Sequence, residues 1–113
     1  MITHRSRCGL VGMIVEYIRY RVPAERQAEF VPAYARAARA LDAAPECEGY
    51  ELSRCVEDPA AYVLRIRWTS AEGHLRGFRT GPHFPAFFRE IRPYVNDIEE
   101  MRHYTPTEVT ATP

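Results

Sequence analysis

The chain contains no lysine, and all 15 of its basic residues are arginine. Schiff-base chemistry and a P-loop lysine are therefore excluded. Charge of one sign is lacking too, because 15 acidic residues bring the formal net charge to zero, with a pI near 6.9. Phosphate backbones need a basic field, and here Arg alternates with Glu and Asp, so no nucleic-acid partner is expected. No apolar run reaches the roughly 18 residues of a membrane span, which removes a membrane partner from the expectations. The cysteines, Cys8, Cys47 and Cys55, are odd in number and form no CxxC pair, so neither a disulfide framework nor a structural zinc site is expected. A reducing cytoplasm fits this usage. HExxH, GxGxxG, GxSxG and P-loop motifs are all absent, and the histidines do not recur at metal-ligand spacing. No metal and no cofactor is expected.

What is present is one small domain of 113 residues with 46% hydrophobic and 27% charged residues. Met13 to Arg21 is rich in β-branched and aromatic residues and is stopped by Pro23, which marks a strand. Residues 1–12 before it are expected to be a tail, since the apolar run from Cys8 to Val15 is interrupted by Glu16 and no cleavage site follows. From Ala24 to Ala43 the positions Phe30, Tyr34, Ala37, Ala38 and Leu41 recur every three or four residues, the pattern of an amphipathic helix that Pro32 should kink. Cys47 to Val56 and Ala61 to Thr69 flank Glu57, Asp58, Pro59 and Ala60 as a hairpin. In the second run Tyr62, Leu64, Ile66 and Trp68 share one face.

Thr69 and Glu72 stand at capping-box spacing before a short helix through Arg79, which Gly81 breaks before Pro82 opens the next. That third helix carries the stripe Phe84, Phe87, Phe88, Ile91 and Val95, with Pro93 distorting its last turn. Asp97 to Thr105 forms a final strand, and residues 106–113 are too polar and proline-rich for a core. The order β-α-β-β-α-β predicts an α+β, ferredoxin-like split fold, an antiparallel sheet with helices on one face. The other face has no cover within residues 13–105, so a second copy is expected there, making a homodimer.

The candidate site follows from this arrangement. Trp68 ends a strand on the apolar face, where its ring can wall a cavity and its indole N–H can donate one hydrogen bond. His74 follows on the short helix one turn before Phe78 and can act as base or hydrogen-bond partner, or stand as a partly exposed helix residue. His83 is either at a pocket mouth or at a surface cap. Arg89 beside Phe88 either reaches an anionic oxygen in the cavity or stays solvated. His103 shares parity with Met101 and is expected to be a sheet or dimer-interface residue rather than a ligand. An aromatic pocket of Tyr62, Leu64, Ile66, Trp68, Phe78, Phe84, Phe87 and Phe88 suits a flat aromatic ligand.

The runs Val15-Glu16-Tyr17-Ile18-Arg19-Tyr20, Tyr50-Glu51-Leu52-Ser53-Arg54-Cys55, Arg65-Ile66-Arg67-Trp68-Thr69-Ser70-Ala71-Glu72-Gly73-His74 and Pro82-His83-Phe84 together resemble the antibiotic biosynthesis monooxygenase (ABM) domain family over residues 13–105. The resemblance implies a dimeric α+β barrel. It also implies an enzyme that oxidises a small aromatic phenol or quinol to a quinone with O2 and without cofactor, while other members degrade haem. Trp68 matches the pocket tryptophan of the family, His74 a polar aromatic position six residues later, and Arg89 a helix arginine. Two departures stand out: the substrate-orienting strand asparagine has no counterpart, Asn96 being the only Asn, and Phe78 stands where a haem-ligating histidine would fall. A non-catalytic dimeric module binding a hydrophobic or aromatic ligand, or a haem-binding or haem-degrading relative in which His74, one turn from Phe78, takes the ligand role, is the alternative.

Overall fold

A computed structural model describes residues 12–111, the side chain of Leu75 excepted. Of the tail expected at residues 1–12, all but Gly12 lies outside the described residues. The chain runs β1 (Ile14–Arg21), α1 (Ala24–Ala43), β2 (Cys47–Arg54), β3 (Ala61–Trp68), a π-helical segment (Gly73–Phe78), α2 (Phe84–Ile91), a 3-10 turn (Arg92–Asp97) and β4 (Ile98–Tyr104). The strands form one antiparallel sheet in the order β2-β3-β1-β4. This is the α+β ferredoxin-like fold expected from the order of elements. No helix among the described residues is long and apolar enough to cross a membrane.

Strand alternation divides the sheet into two chemically different faces. On β3 the inward Tyr62, Leu64, Ile66 and Trp68 are buried and alternate with half-exposed Val63, Arg65 and Arg67. On β1 the inward set is Ile14, Glu16, Ile18 and Tyr20, so a carboxylate occupies a core-facing position in the central strand. The outward side chains are tied by ion pairs at its edge: Arg19 to Glu100 at 2.7 Å, and Arg21 to Asp58 at 2.8 Å and to Glu99 at 3.0 Å. Residues 106–111, without regular structure, border a broad groove on this outward face beside Val15, Tyr17, Arg65 and Arg67.

Helix α1 covers the inward face with Phe30, Ala33, Tyr34, Ala37, Ala40 and Leu41, all buried. Phe30 is the hub, its ring centroid 4.8 to 5.4 Å from those of Tyr20, Tyr34, Tyr62 and Tyr94. Pro32 lies inside this helix, which continues through it to Ala43. Pro32 and Ala28 both sit on the solvent side, where the carbonyl that loses its amide partner is met by water.

The second helical region departs from expectation in detail. Ser70, not Thr69, caps it: its Oγ accepts the Gly73 N–H at 2.8 Å. The chain then widens into a π-helical turn closed by the Arg79 N–H donating to the His74 carbonyl at 3.1 Å. Gly81 is required where the turn closes, because a Cβ there would lie 2.2 Å from the Gly77 carbonyl oxygen. Helix α2 begins at Phe84 with Pro85, rather than Pro82, in its first turn. After Ile91 the backbone tightens into the 3-10 turn that contains Pro93.

Candidate active site

The π-helical segment, α2, the 3-10 turn and the inward faces of β1, β3 and β4 enclose a cavity of about 150 Å³. Its walls are apolar: Ile18, Ile66, Phe78, Phe87 and Ile91 inside, with Phe88, Val95 and Met101 each more than a third exposed at the opening. A cavity near 150 Å³ with such walls is the size that holds a benzene ring. One end is polar. There Glu16, only 2% exposed, meets Trp68, His74 and His103.

Sheet register assembles this end. Glu16 lies directly opposite His103 on β4, and Trp68 pairs with Ile14, one inward position away along β1. The Trp68 indole Nε1–H donates to Glu16 Oε1 at 2.9 Å. His103 Nε2 approaches Glu16 Oε2 at 3.5 Å, and His74 Nδ1 approaches Oε1 at 3.5 Å. The His74 ring stacks tilted on Trp68 at 4.6 Å and on His103 at 5.0 Å. The π-helical turn places His74 over the strand ends, and widened turns of this kind recur at functional sites.

Burial sets the electrostatics. Loss of hydration pushes the Glu16 carboxyl above its ordinary value, against the opposing pull of the Trp68 hydrogen bond and of the nearby His103 and Arg79 charges. Burial first, then the same His103 and Arg79, hold His74 down to about 4, so its ring is neutral at pH 7. The His74–Glu16 approach is thus a contact of a neutral imidazole with the Glu16 carboxyl group. Tyr20 lines the cavity wall and shares its buried hydroxyl with Tyr34, and its own phenol is pushed up to about 12 by burial. Neither tyrosine ionises near neutrality.

Of the residues picked out in the sequence, Ile66, Trp68, His74, Phe78, Phe84, Phe87 and Phe88 come together around this cavity. Four do not. Tyr62 lies farther along β3 beneath α1, its hydroxyl accepting from Arg54 Nε at 3.0 Å. Leu64 lines a separate shallow groove with Tyr34, Leu41 and Tyr50. His83 caps the start of α2 through its carbonyl, which accepts the Phe87 N–H at 3.3 Å, and its side chain makes no capping bond. Arg89 is exposed and lines no part of the cavity, because one residue beyond Phe88 is a 100° rotation toward solvent. Arg79 is the cation at the cavity. Asn96 is exposed in the 3-10 turn.

Glu16 and His103 were missed as site residues. Glu16 carried a signal, since it is the one charged side chain among the inward positions of β1. His103, expected as a sheet or dimer-interface residue, lies on β4, is partly exposed and turns its Nε2 toward Glu16.

The fold agrees with the comparisons with known proteins. Residues 13–90 match the antibiotic biosynthesis monooxygenase family, more than half of the 113 residues, and the chain belongs to that family. Among solved structures, a candidate antibiotic biosynthesis monooxygenase from Bordetella bronchiseptica is 26% identical, with TM-score 0.69 over 85% of this chain and 98% of that one. SnoaB, a cofactor-independent oxygenase from Streptomyces nogalater, shares the fold at 22% identity and TM-score 0.68 over 90% of this chain and 98% of that one. The uncharacterized protein YczJ of Bacillus subtilis is 22% identical over 92 residues, 81% of this chain and 97% of YczJ.

Proposed function

We propose that the protein oxidises a phenol or hydroquinone ring to a quinone with O2, with the ring held in the apolar cavity and Glu16 acting as base without metal or flavin. The observation that carries this reading is a carboxylate of raised pKa, 2% exposed, at the polar end of a cavity of one-ring size. The naming of SnoaB as a cofactor-independent oxygenase supports it by similarity of fold. A phenol needs a base to become electron-rich enough for O2, and a base of raised pKa in a dry site is suited to take that proton.

The chemistry balances with no further reagent. Glu16 takes the hydroxyl proton, the phenolate gives one electron to O2, and the phenoxyl radical and superoxide combine at a ring carbon. Glu16 returns its proton to the outer oxygen of the resulting peroxide anion, then as carboxylate takes the ring-carbon proton while the O–O bond breaks, and the departing hydroxide collects that proton to leave as water. One oxygen atom remains as the quinone carbonyl and the other leaves as water. Trp68 holds the carboxylate in place. His74, neutral, can pass the proton on. Phe88, Val95 and Met101 form the entrance through which a larger fused ring would project.

The outward sheet face carries Val15, Tyr17, Val63 and Tyr104 between paired charges, and we assign it to a second copy of the chain. Sedimentation at micromolar concentration tests this, a dimer being expected. The free thiols of Cys47 and Cys55 suit a reducing cytoplasm. The enzymatic reading is tested by oxygen uptake of chelator-treated protein on hydroquinones and polycyclic phenols, against heat-denatured protein. Saturable uptake is expected. Uptake equal to autoxidation across the panel would overturn the oxygenase reading in favour of ligand binding alone.

A further inference from the structure

We propose that Glu16, His74 and His103 form a binding site for one divalent transition-metal ion of the zinc, cobalt or iron(II) type. The three side chains, from β1, the π-helical segment and β4, each bring a ligand atom within 4.8 Å of the others. Ligand spacing along the sequence gives no hint of this, because strand pairing rather than a local motif places His103 opposite Glu16.

Geometry and donor chemistry agree. Metal–ligand bonds of about 2.0 to 2.2 Å in a tetrahedral array put neighbouring ligand atoms roughly 3.3 to 3.6 Å apart. His74 Nδ1 lies 3.5 Å from Oε1 and His103 Nε2 3.5 Å from Oε2, so an ion held by both imidazoles would take both carboxylate oxygens or draw one imidazole toward a shared one, the ligand atoms lying within 4.8 Å of one another. The partly exposed His103 ring has room to close the remaining gap. Two imidazoles and one carboxylate select borderline transition metals over magnesium or calcium and leave coordination positions open toward the cavity. The Trp68 indole bond to Oε1 supplies the outer hydrogen bond that orients a ligating carboxylate.

A second, independent observation comes from His74. Its side chain is 7% exposed, and its Nδ1, aimed at the cluster, has no hydrogen-bond partner. Buried side-chain nitrogens are nearly always paired. A simple ion pair of His103 with Glu16 leaves Nδ1 unpaired, whereas an ion among the three groups engages it. The site does not depend on the oxygenase reading, since the same donors hold an ion whether or not a phenol is turned over. If both hold, ion and substrate proton compete for Glu16, and the ion inhibits turnover.

The test is titration of the chelator-treated, dialysed full chain with cobalt(II), followed by visible absorption and calorimetry. One ion per chain is expected, with d–d bands of low-coordinate cobalt, and affinity at least tenfold weaker in both His103→Ala and Glu16→Gln. His103→Ala, at a partly exposed position, keeps the test decisive where Glu16→Gln disturbs folding. Absent binding, undiminished binding in His103→Ala, or an intense near-ultraviolet thiolate band that assigns the ion to a cysteine would each overturn the proposal.

Discussion

Trp68 donates its indole N–H to Glu16 at 2.9 Å, joining the last residue of β3 to a carboxylate in the centre of β1 across 52 residues of sequence. That bond supplies a fixed partner to a group that burial makes costly to ionise. It also gives the carboxylate one orientation toward the cavity.

Trp68→Phe retains the ring and removes the donor. The bond holds the Glu16 pKa down, so its loss moves that pKa further up and carries the rising limb of oxygen uptake against pH to higher pH. Hydrogen bonds to charged groups contribute about 1.5 to 3 kcal/mol, so a fall of roughly tenfold or more in kcat/KM at neutral pH is expected. A pH profile superimposable on that of the wild type would contradict this role.

His74 makes the metal-free fold sensitive to acid. Its pKa falls from 6.5 to about 4 on folding, so between those values the unfolded chain binds a proton that the folded one refuses. Stability is therefore lost as pH drops through this window, by up to about 3 kcal/mol for this one group. Glu16, with its raised value, contributes the opposite slope. Urea unfolding of wild type and His74→Leu in the presence of chelator isolates the histidine. Relative to the variant, the wild type should lose about 3 kcal/mol between pH 7 and pH 4, and a constant difference would show that His74 is not held neutral.

Gly81 and Gly49 give a matched comparison. A methyl group at Gly81 meets the Gly77 carbonyl oxygen at 2.2 Å, whereas one at Gly49 meets nothing within 4 Å. Gly81→Ala should cost about 1 to 3 kcal/mol and raise KM by displacing the segment that carries His74 and Phe78. Gly49→Ala should leave both unchanged. Thermal unfolding and steady-state kinetics on the two variants check this, and equal melting temperatures would contradict it.

The two arginines near α2 separate in the same manner. Arg89 is exposed and away from the cavity, so Arg89→Ala should alter uptake by less than about twofold. Arg79 lines the cavity, and its charge lowers the Glu16 pKa. Arg79→Ala should shift the pH profile upward, in the same direction as Trp68→Phe. A loss of activity in Arg89→Ala without loss of folding would restore it to the site.

Local periodicity carried the fold and half of the site. The alternation through Tyr62, Leu64, Ile66 and Trp68 placed the tryptophan on the inner face, and the three- and four-residue spacing of Phe84, Phe87 and Phe88 placed the opposite wall. What periodicity cannot give is position along an element, so Tyr62 and Leu64 shared the parity of Trp68 but lie beneath α1. Long-range register was equally illegible. His103 reaches Glu16 through a β1–β4 pairing whose register shifts between Arg19 and Tyr20, which neither strand reveals alone. Glu16 itself is legible by parity, as the one charge among the inward positions of β1.

The central claim is that Glu16 is the base, and the most direct test is oxygen uptake by chelator-treated wild type and Glu16→Gln on the best hydroquinone of the panel. Glutamine retains the size of the side chain and an acceptor for Trp68 but removes the proton acceptor, and general bases contribute about 10² to 10⁴ in rate. The account predicts a folded Glu16→Gln protein whose kcat has fallen by at least about a hundredfold. A folded variant that consumes oxygen at the wild-type rate would contradict it.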